Sequence, residues 1–492
     1  MKLAFLRWNS LHRLTQPAAS DLLALVLAFR TVIGPLFLTI FLLHLDPVYA
    51  QKQDERNDRP LMGWSSWSQE SHLGESWLTE AQILTQSDAL RSSGLQQHGW
   101  RYINIDSGWQ NGYDSYGRPT PDLTKFPNGL AAVVEHIHRN GQKAGIYWTP
   151  GVPKEIEASN PPILRTPYNV QDILVVPLTN GNGFRSSYKI DFSKPGAQEY
   201  VDSVVGLFAS WGFDFIKLDG TTPGSSLPSF TPPGGGAPPP DPDPENLQID
   251  NRADVKAWHD AIEKTNRPIL LALSWSLDHG YASWWEKYSN SRRIEFDVEC
   301  YQCQSTISSW SNVALRFTDL VVWQNDAGPK LGWNDLDSLE VGTGTTGSVP
   351  SGLTDDERQS MMTFWSIANA PLYIGDDLTK IDEFGFSLLT NDEVIRINQS
   401  GYPGKQVAGG NTPVWAAKAA NGSYYVALFN LNDSASAATV NWNDLGFSEP
   451  AFVADIWRKK PLGNFAVGFT AVLNPHASAL LRVRPHEQDQ DE

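Results

Sequence analysis

Phe213-Asp214-Phe215-Ile216-Lys217-Leu218-Asp219-Gly220 packs two phenylalanines, an isoleucine and a leucine into a short run closed by glycine. Such a run reads as a strand buried on both faces, as in parallel sheets covered by helices. Lys217 and Asp219 lie two positions apart at its end, and on a strand that spacing puts both side chains on one face. An acid held beside an ammonium stays ionised, which suits a carboxylate nucleophile or a charge stabiliser. A surface salt bridge at a strand exit would use the same residue types.

Outward from this run, the spacing predicts further strands at 61–67, 102–106, 144–148, 269–275, 294–299, 320–323 and 336–341. Helix-length amphipathic stretches fall between several of them, at 81–95, 130–140, 197–210 and 253–265. Eight strands alternating with helices predict an α/β fold, a (β/α)8 barrel over 58–400, with a doubly wound sheet as the competing arrangement. Either fold places a site at the C-terminal ends of the strands. Residues 221–244 are rich in Gly, Pro and Ser and cannot build a core, so they read as a long loop over or beside that end, or as a surface insertion. After Gly401 the pattern becomes short period-2 or apolar runs split by turn residues, at 414–419, 424–430, 438–442, 451–455 and 479–483. These predict a C-terminal antiparallel β-sandwich over 401–485, followed by a polar tail at 486–492.

Composition bounds the function. With 492 residues, 41% of them hydrophobic, the chain can bury a large domain and a smaller one. A net charge of −17 without a basic stripe argues against a nucleic-acid partner. The 19 tryptophans fit either large aromatic cores or sugar-stacking surfaces. Residues 1–50 have basic residues, then an apolar stretch, then Val48-Tyr49-Ala50, the pattern of a cleaved signal peptide. Secretion, or a periplasmic destination, is expected, and a membrane partner only if this segment stays uncleaved as an anchor. Cys300 and Cys303 are the only two cysteines, too few for a four-cysteine zinc site, and fit a local disulfide in an exported protein or two free thiols.

A second acidic stretch, Arg293-Ile294-Glu295-Phe296-Asp297-Val298-Glu299, offers three carboxylates of one parity, and parity does not choose among them. Two carboxylates across a cleft are the minimal apparatus for glycoside hydrolysis, one attacking or stabilising the sugar cation and one donating a proton.

Several motifs in order resemble those of glycoside hydrolase family 27, the α-galactosidase (melibiase) family, over nearly all of 61–485. They are Met62-Gly63-Trp64-Ser65-Ser66-Trp67, Asn104-Ile105-Asp106-Ser107-Gly108-Trp109, Gly145-Ile146-Tyr147, Lys217-Leu218-Asp219-Gly220, Trp333-Asn334-Asp335-Leu336-Asp337 and Ala370-Pro371-Leu372-Tyr373-Ile374-Gly375. The resemblance implies the barrel and sandwich, an oligosaccharide or polysaccharide substrate, retention of anomeric configuration, and neither metal nor cofactor. It implies Asp219 as nucleophile and Asp297 as acid/base, with Trp67, Asp106, Tyr147, Lys217, Arg293 and Asp337 around the sugar. Three positions depart from the family pattern. Ser107 replaces the second of two paired acids, Leu273-Ser274-Trp275 replaces Cys-Glu-Trp, and Thr221 replaces a cysteine. Ser107, Ser274 and Trp275 are therefore expected at the sugar with altered specificity. Within the family, β-L-arabinopyranosidase, α-N-acetylgalactosaminidase and isomaltodextranase are the alternatives to α-galactosidase. A catalytically weak carbohydrate-binding protein is the alternative of another class.

Overall fold

The computed structural model describes residues 58–225, 249–303, 305–345 and 349–486. The targeting segment, most of the Gly/Pro-rich stretch and all but the first residue of the polar tail lie outside them. No helix among the described residues is long and apolar enough to cross a membrane.

Eight parallel strands run β1 Met62–Ser65, β2 Tyr102–Ile105, β3 Lys143–Trp148, β4 Phe215–Leu218, β5 Leu270–Leu273, β6 Ser291–Arg293, β7 Trp333–Asp335 and β8 Leu372–Ile374. β1 to β7 pair in chain order, and β1 also pairs with β8. Beyond β7 the chain makes a parallel bridge from Leu339 to Ile374 in β8, which closes the curled sheet into a (β/α)8 barrel. Helices link the strands, among them Glu80–Ser92, Gly129–Arg139, Ala197–Trp211, Arg252–Lys264 and Trp310–Trp323.

The alternation expected of β4 is present. Ile216 and Leu218 join the large core under the helices, while Phe215 packs inside the barrel with Leu270, Ala272 and Tyr373. Lys217 shares Phe215's face one step nearer the C-terminal end, and it pairs in register with Tyr147 of β3. Gly145 is required there, because a Cβ would lie 2.1 Å from Asn104 Oδ1 and 2.6 Å from the Phe215 ring.

Three of the expected strands are corrected. Residues 320–323 are the last turn of helix Trp310–Trp323, where Leu320 and Trp323 are buried but Val322 is exposed. The eighth strand is Leu372–Ile374. Residues 294–299 and 336–341 are not strands; β6 and β7 end just before them. Their apolar residues, such as Ile294, Val298 and Leu336, are buried because the segments after the strands fold back onto the core.

The C-terminal part holds a six-stranded antiparallel sheet and a separate pair, Ser436–Asn441 with Gly468–Leu473, around a second apolar core that includes Val426, Val440, Trp442 and Val453. Helix Asp355–Ile367 lies between this part and the barrel. It opens with a capping box, Thr354 to Glu357, and its buried residues include Met361, Met362, Phe364 and Trp365. Phe364 stacks on Phe317 at 3.8 Å and meets Trp415 and Phe429 edge-on at 5.3 and 5.6 Å.

Candidate active site

The site occupies the C-terminal ends of the strands, and two cations, Arg293 buried and Lys217 half-buried, organise it. Lys217 Nζ donates to Asp106 Oδ2 at 2.9 Å and stands 3.9 Å from Asp219 Oδ2. It also lies 5.6 Å from the centre of the Tyr147 ring. Burial works against the ammonium, but Asp106 and Asp219 hold it protonated. Burial pushes the Asp219 carboxyl above its ordinary range. Lys217 pulls it back, Asp106 and Asp297 add to the rise, and the Ser274 hydroxyl bonds the ionised form.

Arg293, at the end of β6, is the second cation. Its Nη1 meets Asp337 Oδ1 at 2.6 Å, its Nη2 pairs with Asp297, and its Nε donates to the Glu295 carbonyl at 3.2 Å. Asp337 also accepts from the Val298 amide at 2.8 Å, which ties the segment carrying Asp297 to the segment after β7. Burial works to raise Asp297, but Arg293, then Lys217 and the Tyr301 hydroxyl, hold its carboxyl below the ordinary range.

Asp106, Tyr147, Lys217, Asp219, Ser274, Arg293, Asp297 and Asp337 thus share one electrostatic cluster. Trp67 begins the helix after β1 and reaches the cluster through its indole N–H, which donates to the Tyr301 hydroxyl at 3.0 Å. Ser107 sits at the margin, its amide bonded to Asp106 Oδ1 at 2.9 Å. Trp275 packs against Phe184, the rings tilted with their centres 4.9 Å apart.

The three acids of the second stretch separate in space, which strand parity did not reveal because the segment is not a strand. Asp297 faces Arg293 and Tyr301. Glu299 accepts from Ser68 at 2.7 Å, and burial beside Asp337 and Asp297 pushes it up to about 8. Glu295 accepts from the Phe296 amide at 2.7 Å and faces Asp319. Asp297, Glu299 and Asp337 have carboxylate oxygens within 4.8 Å of one another, close enough to hold a cation. Arg293 already supplies positive charge to two of them.

Tyr301 was missed in the sequence. Its hydroxyl donates to Asp297, and it sits in a turn closed by a Cys300–Cys303 disulfide. The Cys-Tyr-Gln-Cys run drew attention to its thiols and carried no signal for the ring between them. Phe184 was missed for a plainer reason, lying in a long excursion between β3 and β4 with no periodic pattern.

A family model described as "Alpha galactosidase A" matches residues 59–157 and 246–400, and one described as "Alpha galactosidase C-terminal beta sandwich domain" matches 409–483. The chain is 27% identical to an alpha-galactosidase of Cyamopsis tetragonoloba over 87% of this chain and 86% of that protein. Among solved structures, a β-L-arabinopyranosidase of Geobacillus stearothermophilus superposes with a TM-score of 0.75 at 28% identity, covering 89% of this chain and 99% of that one. Alpha-galactosidase I of Mortierella vinacea superposes with a TM-score of 0.64 at 26% identity, covering 87% and 98%.

Proposed function

The chain belongs to glycoside hydrolase family 27, and from that premise we propose an exported retaining glycosidase that removes a terminal α-linked galactose or a configurationally related sugar. The observation that carries this reading is the pairing of two carboxylates of opposite disposition, Asp219 beside Lys217 and Asp297 beside Arg293, in one cluster at the strand ends. Asp219 attacks the anomeric carbon while the bond to the leaving oxygen breaks and the Asp297 proton passes to that oxygen. Water then attacks the glycosyl ester, Asp297 takes its proton, and the sugar leaves with its original configuration. Asp106, Lys217, Arg293 and Asp337 hold the two carboxylates in place and offer hydrogen bonds to the sugar.

A second reading, β-L-arabinopyranosidase, is favoured by the likeness to the Geobacillus enzyme and by Ser107. That sugar has the galactose ring configuration without the exocyclic hydroxymethyl, so it needs fewer partners at its outer hydroxyls. Losing one charge-assisted bond there costs galactose about 1.5–3 kcal/mol. Export is supported by the pattern of residues 1–50 and by the Cys300–Cys303 disulfide, which suits an oxidising compartment.

The test is a parallel kcat/KM screen of aryl α-galactoside, β-L-arabinopyranoside and α-N-acetylgalactosaminide with isomalto-oligosaccharides, and NMR of the first product formed. Turnover with a retained anomer is expected. A first product of inverted configuration overturns the covalent step, and no turnover of any glycoside leaves a carbohydrate-binding protein. Ser107→Asp should raise the α-galactoside rate relative to the arabinopyranoside. The mature secreted protein should begin at Gln51 by N-terminal sequencing.

A further inference from the structure

A cleft of about 270 Å³ opens beside the cluster, with Ser107 and Tyr147 on its inner side. One wall is the hairpin of Gln110–Tyr113 with Pro119–Pro121, which follows β2. The other includes Phe184, from the excursion between β3 and β4, which lies in residues the family model does not match. Phe184 is fixed in place. The Gly183 amide donates to the Gly220 carbonyl at 2.8 Å, and a Cβ on Gly220, next to Asp219, would come within 2.6 Å of the Phe184 ring. The cleft also presents polar groups suited to hydroxyls. Gln110, Tyr113 and Glu155 line it, and the Tyr113 hydroxyl donates to Glu155 at 3.4 Å.

Aromatic faces beside amide and carboxylate oxygens are what a pyranose binds, its C–H face on the rings and its hydroxyls on the acceptors. The volume suits one such unit, being just below the range of about 300–1,000 Å³ typical of pockets for larger ligands.

Stereochemistry decides which part of a substrate could lie there. In a displacement by Asp219 the leaving oxygen departs on the opposite side, next to its proton donor. Arg293, Asp297, Tyr301 and Asp337 take no part in lining the cleft. Whatever lies in it stays attached to the reacting ring. Resting on the glycosidase reading above, we infer that this cleft is a second sugar subsite on the non-leaving side. The enzyme therefore accepts a reacting sugar that carries a further glycosyl unit on an outer hydroxyl, and releases a disaccharide.

The experiment compares kcat/KM for the best simple aryl glycoside with its derivatives bearing a hexose on the 4- or the 6-hydroxyl, and identifies the sugar released. Wild type should hydrolyse one extended glycoside at least as fast as the simple one and release an intact disaccharide. Phe184→Ala and Gln110→Leu should each lower the extended-to-simple ratio by up to about tenfold. The inference is overturned if the simple glycoside is hydrolysed and neither extended one is. It is equally overturned if both variants leave the ratio within about twofold of wild type. If no aryl glycoside is turned over, the glycosidase reading fails first and the subsite falls with it.

Discussion

Lys217 and Arg293 each stand between two carboxylates, but they share their charge differently. The ammonium sits 2.9 Å from Asp106 and 3.9 Å from Asp219, so one acid holds it and the other only feels its field. The guanidinium gives separate nitrogens to Asp297 and Asp337 and a third to a backbone carbonyl. A compact charge divides unevenly, whereas a planar fork engages several acceptors at once. Asp219 is left loosely held and pushed upward, and Asp297 tightly held and pushed downward. The proposed mechanism needs Asp219 ionised and Asp297 protonated, and the surrounding charges lean the other way on both. Apparent pKa values from a pH–rate profile belong to the pair.

The largest effect should separate the two acids. Asp219→Ala is expected to lower turnover on the order of 10⁴-fold or more, and azide should give no product of retained configuration. Asp297→Ala should hurt glycosides with poor leaving groups far more than activated aryl glycosides, with azide restoring retained product. Identical rescue patterns in both variants would erase the division of labour.

The cations should separate next, by stability. Arg293→Met takes away the cation that Asp337 and Asp297 share, and a loss of about 3–5 kcal/mol is expected in urea denaturation. Lys217→Met should cost less, since Asp219 depends on it less closely. Equal losses would mean that the fork brings no advantage.

On the Lys217 side, Ser66 links the Asp106 amide to Glu70, and burial next to Asp106 pushes Glu70 up to about 9. The folded protein keeps a proton that the unfolded chain releases. The resulting stability is complete below the unfolded value of about 4.5 and is lost as pH rises towards 9, by at most about 1.4 kcal/mol per pH unit. Glu299 and Asp319, both pushed up to about 8, act in the same direction. Denaturation at pH 5 and pH 8 should show the decline, and Glu70→Gln should flatten it.

The smallest effect belongs to Tyr301. Its hydroxyl helps hold Asp297 down, so Tyr301→Phe should raise the Asp297 pKa and move the limb of the kcat/KM profile that Asp297 governs upward, by less than about one pH unit. A downward move would mean that Tyr301 supplies the proton itself.

Five of the eight expected strands were legible because a short apolar run between helical patterns marks a buried strand, and the pair Lys217/Asp219 was legible from its spacing at the end of β4. Leu320–Trp323 misled because four apolar residues read alike in a strand and in the last turn of a buried helix. β8 was hidden by its brevity, only Leu372–Ile374 between helical segments. The choice of Asp297 over Glu295 and Glu299 required the family motif, since the chain turns after Arg293 and parity lost its meaning there. Tyr301 and Phe184 were illegible because their roles arise from contacts to residues such as Trp67 and Gly220, on other segments of the chain.

Helix Asp355–Ile367 has a consequence for how the molecule comes apart. Phe364 packs against Trp415 and Phe429 of the C-terminal sheet, while the adjacent Trp365 donates its indole N–H to the Asp337 carbonyl at 2.7 Å. Ser360 bonds the His476 carbonyl at 2.6 Å, and the Trp457 indole bonds Thr363 at 2.9 Å. Neither half can melt without stripping one face of this helix, and the other face holds an acid of the cluster. Heating should therefore give a single calorimetric transition in which activity and sandwich structure vanish together. A chain cut after Ser400 should expose Phe364 and aggregate rather than survive as a smaller enzyme.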